Sequence, residues 1–347
     1  MSLPKELTMQ QIADAAGVSR MAVSLALRNS PKISKATTER IRRIADDLGY
    51  RPNPMVSALM TQLRHGRKVR KPSILAYVTT YPTEDGWRRF APFVAFYEGA
   101  KRRAETLGYV LEEWWLRRPA MTEQRFCDVL FTRDIHGMVF APLPAGGGAL
   151  CLDWPRFASS AIAYSATSPA IHRASNDQFG TITLALAELS RLGYRRIGLA
   201  ITRESDERVR QQWSAGMLVY QQRVPPENRV PLLLATTPFR RAFSEWFGEH
   251  RPEAVLSLAG QCVRVLNELG VRVPEDAGFA HLALTAEDHE WAGVNQNSEL
   301  VGAAALDLVD AQLRRNEHGI PAQAKTVLIP GVWVPGPTVR AMAKSDG

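Results

Sequence analysis

The chain has 347 residues, 45% of them hydrophobic and 22% charged, with a formal net charge of +8. That length suits two or three domains, and the absence of any run of about 18 apolar residues excludes a membrane-spanning helix. Three scattered cysteines, Cys127, Cys151 and Cys262, fit neither a disulfide framework nor a zinc site and point to reduced thiols, as in a cytoplasm.

The charge is unevenly placed. Residues 1–72 carry 14 Lys/Arg against 5 Asp/Glu, a net +9 that leaves the remaining 275 residues at −1. One end of the chain therefore suits a polyanion partner and the rest has other duties.

In chain order, Thr8 and Gln11 form a capping box for a first short helix with Ile12, Ala15 and Ala16 as its apolar stripe. Gly17-Val18 breaks it, and Ser19 is placed as the N-cap of a second helix. Two short helices joined by so tight a turn predict a helix-turn-helix. On the second helix Val23 and Leu27 face inward, whereas Arg20, Met21, Ser24, Leu25 and Arg28 lie on the opposite side. Arginine can donate two bonds to a guanine edge, and Met21 or Leu25 can meet a thymine methyl. A third helix starts near Ser34, with Ile41, Ile44, Ala45 and Leu48 on one face, Gly49 as its stop and Pro52 beyond. Asn53 and Pro54 then open a short helix carrying Met55, Val56, Leu59, Met60 and Leu63, followed by the basic linker RHGRKVRKP.

From Ser73 onward strands and helices alternate. Strands are expected at 73–82, 110–116, 137–144, 196–201, 254–260 and 278–284, and helices at 93–109, 123–135, 179–194, around 208–222 and near 261–269. Such alternation means parallel sheets covered by helices on both faces, here as two successive series and hence two similar subdomains. Ligands of such sheets bind beyond the carboxyl ends of the strands. The run PAGGGA (144–149) lacks the Lys-Ser/Thr of a phosphate loop, and no dinucleotide fingerprint, catalytic triad or His-Glu-x-x-His is present. No cofactor, metal or catalytic group is expected, which argues against an enzyme.

The stretch LTMQQIADAAGVSRMAVSLALRNSPKISKATTERIRRIADDLGYRPN (7–53) resembles the DNA-binding headpiece of the lactose-repressor (LacI/GalR) family of bacterial transcription regulators. The likeness rests on IADAAGVS, AVS, IS…T, RI and LGYRPN, in order and at family spacing. It continues more weakly through NDQFGTITLALAELSRLGYRRIGLA (176–200), RPEAVLSLAG (251–260), LNELGVRVPEDAGF (266–279), VNQNSELVGAAALDLV (294–309) and IPGVWVPGPTVR (329–340). The resemblance implies an N-terminal all-α helix-turn-helix headpiece plus an α/β periplasmic-binding-protein-like core. That core has two Rossmann-like subdomains with parallel sheets, and the chain crosses between them three times. The expected divisions are residues 1–52 for the headpiece and 53–72 for the hinge helix and linker. Residues 73–166 with 296–326 form one subdomain, and 167–295 with 327–347 the other, the effector cleft lying between them.

The resemblance also implies roles. Arg20, Met21 and Leu25 enter the major groove, Leu25 standing where the family usually has a polar residue. Thr8, Ser19, Ser24, Arg28 and Tyr50 complete the headpiece contacts. Asn53, Ser57 and Leu59 belong to a hinge helix that orders in the minor groove, with Leu59 as the wedge. Effector candidates are Thr79, Thr80, Phe93, Trp114 and Pro142 from one subdomain, and Asn176, Asp177, Arg203, Trp213 and Gln261 from the other. Trp213 stands where sugar- and nucleobase-binding members often have an arginine, three residues before the glycine matched by Gly216. The implied protein is a cytoplasmic, ligand-responsive repressor that binds a palindromic double-stranded operator as a homodimer. Its effector is a sugar or another small metabolite. A solute-binding protein of transport would share the core, but should carry a secretion signal and no headpiece.

Overall fold

The computed structural model describes residues 9–27, 32–48, 73–144, 148–236, 238–285 and 290–340. The headpiece comprises α1 (Met9–Ala16), α2 (Arg20–Leu27) and α3 (Lys35–Asp47) around a small core of Ile12, Ala13, Ala16, Val23, Ala26, Ile41 and Ala45. Two expected inward positions differ. Ala13 is buried in place of Ala15, and Leu48 is exposed because α3 ends just before it.

The turn between α1 and α2 follows from local chemistry. Gly17 takes φ +62°, its N–H bonds Asp14 O at 3.3 Å, and the Val18 N–H reaches back to Ala13 O at 3.0 Å. This is a left-handed C-cap in which two orphan carbonyls are satisfied and Val18 folds onto the core. Ser19 Oγ accepts from Ala22 N–H at 3.1 Å, and Ser34 Oγ accepts from Thr37 N–H at 3.2 Å, so α2 and α3 each open on a side-chain cap.

The first core subdomain runs through β1 (Ser73–Thr79), α4 (Ala91–Leu107), β2 (Tyr109–Trp115), α5 (Glu123–Thr132), β3 (Gly137–Phe140), β4 (Gly148–Ala149), β5 (Ala158–Ile162), β6 (Ala166–Ser168) and β7 (His172–Asn176). The second holds α6 (Gln178–Arg191), β8 (Ile197–Thr202), α7 (Arg203–Arg208), α8 (Gln212–Gln221), β9 (Leu233–Ala235), α9 (Phe239–His250), β10 (Ala254–Ser257), α10 (Gln261–Glu268), β11 (Gly278–Leu284) and β12 (Ala292–Asn295). The chain then returns to the first through α11 (Ser298–Arg315) and β13 (Thr326–Ile329), and ends its described course in the second with β14 (Val332–Val334).

The first sheet has the order β13-β7-β5-β3-β1-β2 and is parallel throughout. The second has the order β14-β12-β11-β10-β8-β9 and is parallel except for β14, which runs antiparallel to β12. Two boundaries therefore shift from the sequence reading. The first lies after β7, ten residues beyond 166, and the last lies after Ile329, not at 326. The strand HRASN of β7 is polar and did not read as part of a buried sheet.

Helices α4 and α11 cover the first sheet and touch backbone to backbone. A Cβ on Gly99 would fall 1.9 Å from Glu299 O, and one on Gly302 would fall 1.9 Å from Phe96 O. Gly99→Ala must push the two helices apart, at a cost of about 1–3 kcal/mol or more. Gly248→Ala on exposed helical backbone, where the added Cβ meets nothing, should instead gain about 0.5–1 kcal/mol. Thermal denaturation of both variants checks this. Gly99→Ala should melt several degrees below wild type, and an unchanged midpoint would contradict the close approach.

Candidate nucleic-acid interface and ligand cleft

Helix α2 divides by face. Val23 and Ala26 are fully buried, with Leu27 packed beside them. Arg20 is exposed and Met21 is 69% exposed, while Ser24 and Leu25 are half-buried. The short helix is fixed to α1 and α3 along one side and offers a cation and a thioether along the other. Ser19 is committed to the cap, so its hydroxyl already holds the Ala22 N–H. Thr8, Arg28, Tyr50, Asn53, Ser57 and Leu59 lie outside the described residues, as does the whole hinge segment.

Between the two core subdomains lies a cavity of about 310 Å3. Four of the ten expected effector residues line it: Phe93, Pro142, Asn176 and Trp213. One wall is a run of aromatic rings near the start of α4. Phe90 and Phe93 lie 5.0 Å apart, Phe93 stacks on Phe96 at 5.9 Å, and Tyr81 meets Phe93 edge-on at 6.5 Å. The opposite wall is the face of α7 bearing Glu204, Ser205 and Arg208, with Val209 and Trp213 beyond it. The Arg208 guanidinium crosses the cleft to Leu143 O at 3.1 Å, tying the second subdomain to the end of β3. Burial pushes the Tyr81 phenol above its ordinary range, while the guanidiniums of Arg208 and Arg89 pull it the other way.

The floor is the place where the chain crosses. Asn176 Nδ2 donates to Gln296 O at 2.8 Å. The carboxamides of Gln178 and Gln296 pair at 3.0 and 3.3 Å, and Gln296 Nε2 also reaches Leu282 O at 2.8 Å. Asp177 N–H meets Ile329 O at 2.8 Å, and Asn297 Nδ2 meets Pro330 O at 2.9 Å. Asn176 thus faces the cavity with its amide nitrogen already engaged.

The other six candidates lie elsewhere. Thr79 and Thr80 are buried past the lining, and Thr80 Oγ1 has no hydrogen-bond partner among the described residues. Trp114 sits on the edge strand β2, edge-on to Phe126 at 6.0 Å and 5.1 Å beneath the Arg133 guanidinium. Asp177 caps α6 by accepting from Gly180 N–H at 2.9 Å. Arg203 lies off the face that α7 turns to the cavity, and Gln261 is exposed at the start of α10. Sequence reading missed Tyr81, Arg89, Phe90 and Arg208. All four stand within a dozen residues of the carboxyl end of β1 or β8, where the strand-end rule directs attention.

A larger depression, about 470 Å3, opens beside the crossings. Its arginines are largely spent on neighbours: Arg88 pairs with Glu113 at 2.5 Å and Asp85 at 3.2 Å, and Arg102 pairs with Glu299. Among the described residues no cluster of His, Cys, Asp or Glu is placed to hold a metal, and no helix is long and apolar enough to cross a membrane.

Loss of the Ser19 cap should loosen α2 selectively. Ser19→Ala is expected to cost the headpiece about 1 kcal/mol. Amide exchange over residues 20–27 should quicken roughly fivefold while the core strands keep their protection. Equal protection in both proteins would show that the cap bond carries no weight.

Residues 8–53 match the family model for bacterial regulatory proteins of the lacI family, and residues 186–339 match a periplasmic binding protein-like domain. The HTH-type transcriptional repressor CytR of Escherichia coli (strain K12) is 30% identical over 132 residues, 38% of this chain and 35% of CytR. The matched stretch thus spans about a third of that relative's length. Among solved structures, the lac repressor dimer bound to operator and the anti-inducer ONPF aligns with a TM-score of 0.55 at 18% identity, covering 97% of this chain and all of that one. A transcriptional regulator CelR–cellobiose complex aligns with a TM-score of 0.54 at 19% identity, covering 96% of this chain and all of that one. At such identity these two show the fold: a helical headpiece followed by a two-subdomain α/β core. The headpiece thus matches the lacI family of bacterial regulatory proteins and the later part of the core matches a periplasmic binding protein-like domain, in the order that the sequence resemblance implies.

Proposed function

We propose that this regulator binds a nearly palindromic DNA operator as a homodimer and changes its grip on it when a small molecule occupies the core cleft. The family is one of regulators, not of enzymes. The observation that carries the reading is the two-faced α2. Its buried side fixes the helix to α1 and α3, and its exposed side presents Arg20 and Met21 on a segment bearing a net +9. A helix so presented suits the major groove, with Arg20 toward a guanine and Met21 and Leu25 toward thymine methyls. The lac repressor named above is bound to its operator as a dimer, and a two-fold protein reads a two-fold site.

The segment from Asn53 to Leu63 supplies the second contact in this reading. A short apolar helix is marginal alone. On DNA it gains a place to bury Leu59 between base steps, which offsets an unstacking cost of a few kcal/mol. The cleft ligand acts by favouring one arrangement of the two subdomains, and the action is allosteric to the extent that the two arrangements differ in DNA affinity. The setting is the cytoplasm, and repression is the outcome expected of operator occupancy.

Selection of bound duplexes from a random library tests the central claim. It should enrich a sequence with two-fold symmetry, bound with an affinity that falls steeply with salt. No enriched motif would sink the reading. Arg20→Ala should reduce discrimination between the selected site and random DNA by about 1–3 kcal/mol, and an equal loss on all sequences would deny it a base-reading role. Leu59→Ala should reduce the bend in the selected duplex, measured by energy transfer between its ends, and an undiminished bend would remove the wedge.

A further inference from the structure

The hydrogen-bonding inventory of the 310 Å3 cavity is lopsided. Its carboxamide nitrogens are engaged at the crossings, Asn176 Nδ2 with Gln296 O and those of Gln178 and Gln296 with each other's oxygens, and Asn176 Oδ1 is the one carboxamide acceptor of the lining left without a partner among the described residues. Ser165 Oγ accepts from Leu143 N–H at 2.7 Å, and Ser205 Oγ is paired with Thr202 Oγ1 at 2.7 Å. What remains for a ligand is mostly donors. Arg89 forms no ion pair among the described residues and lies with its guanidinium 4.8 Å over Phe90. Arg208, with five N–H groups, spends one on Leu143 O, hydrogen-bonds the Tyr81 hydroxyl as well, and lies 5.8 Å over the Phe93 ring. The lining has one carboxylate, Glu204, and it is exposed.

A sugar hydroxyl both donates and accepts, so a sugar needs acceptors deep in its site. A carboxylate needs donors alone, and guanidiniums match its two oxygens in a fork. The two arginines stand against a wall of Phe90, Phe93, Phe96 and Tyr81, which suits a flat apolar body. We propose that the cleft takes a small aromatic carboxylate, its ring on the Phe90–Phe93–Phe96 wall and its charge between Arg89 and Arg208. This rests on the cleft being the ligand site of the regulator proposed above. The modest volume limits the ligand to one or two rings, since the cavity lies near the lower end of the usual range for small-molecule sites.

Titration calorimetry on the full chain, without DNA, tests the ligand class. The probes are benzoate, phenylacetate, cinnamate and indole-3-acetate, each beside its neutral carboxamide, with glucose, cellobiose and cytidine as competitors for the same cleft. At least one acid should bind below millimolar concentration, about tenfold or more tighter than its amide. Arg89→Gln, at an exposed position, should erase most of that preference. Arg208→Met should do the same, with a melting temperature measured alongside to report on the Leu143 bridge. Equal binding of acid and amide, binding by a sugar or nucleoside alone, or no binding by any of the four acids overturns the proposal. Operator binding read separately keeps the two claims apart. An acid that binds and leaves DNA affinity unchanged retains the ligand class and removes the effector role, whereas a chain that selects no DNA site removes the regulator reading alone.

Discussion

Everything in the core depends on how three crossings of the chain are hydrogen-bonded at one place. Backbone that leaves one sheet for another abandons its ladder, and buried amides without partners are costly. Here the cost is met by short polar side chains at the strand ends. Asn176 closes on Gln296 O, Gln296 on Gln178 and Leu282 O, and Asn297 on Pro330 O. The cleft exists because those side chains hold the carboxyl ends of two parallel sheets face to face. The nitrogens of the same amides are thereby engaged within the protein, and Arg89 and Arg208 are the cations that line the cavity.

How much of this was legible in the sequence depends on how each element is satisfied. Elements buried by apolar side chains were readable: GFAHLAL became β11 with the expected limits, and FVAFYEGAKRRAETLGY became α4, stopped by Gly108 at φ 82°. Elements buried by hydrogen bonds were not. In β5 Ser160 Oγ donates to Ala305 O at 2.7 Å, and in β7 the Arg173 guanidinium donates to Ala163 O and Ala166 O at 2.8 and 3.0 Å. ASSAI and HRASN look like surface text, and only tertiary partners make them central strands. The helix expected around 208–222 begins only at Gln212 as α8, and the unexpected α7 before it is set apart by positive φ at Arg210 and Gln211, a break that no glycine or proline announces.

The two candidate sites differed for a related reason. The headpiece is read by local rules, since caps, a left-handed glycine and an apolar stripe determine which face of α2 is free. Two positions misled there: Ala13 is buried in place of Ala15 on α1, and Leu48 is exposed at the end of α3. The cleft is assembled from loops after β1 and β3 and from α7, far apart in the chain. An aromatic residue such as Trp114 cannot declare from sequence alone whether it faces a cavity or a neighbouring helix. Trp213 and Phe93 do face it, and Tyr81 and Arg208 were overlooked because nothing local distinguishes them.

The backbone contact at Gly99 and Gly302 has a mechanical side. Helix α4 bears Phe93 and Phe96 of the aromatic wall, and α11 begins just after the second crossing, at Ser298. Where the two backbones touch there is no side chain to rearrange, and the ion pair of Arg103 with Asp307 holds the helices together further along, so the wall of the cleft and the start of α11 are joined with little slack. The opposite jaw is the short α7, which meets the first subdomain through one side chain, Arg208, bonded to Leu143 O and lying over the Phe93 ring.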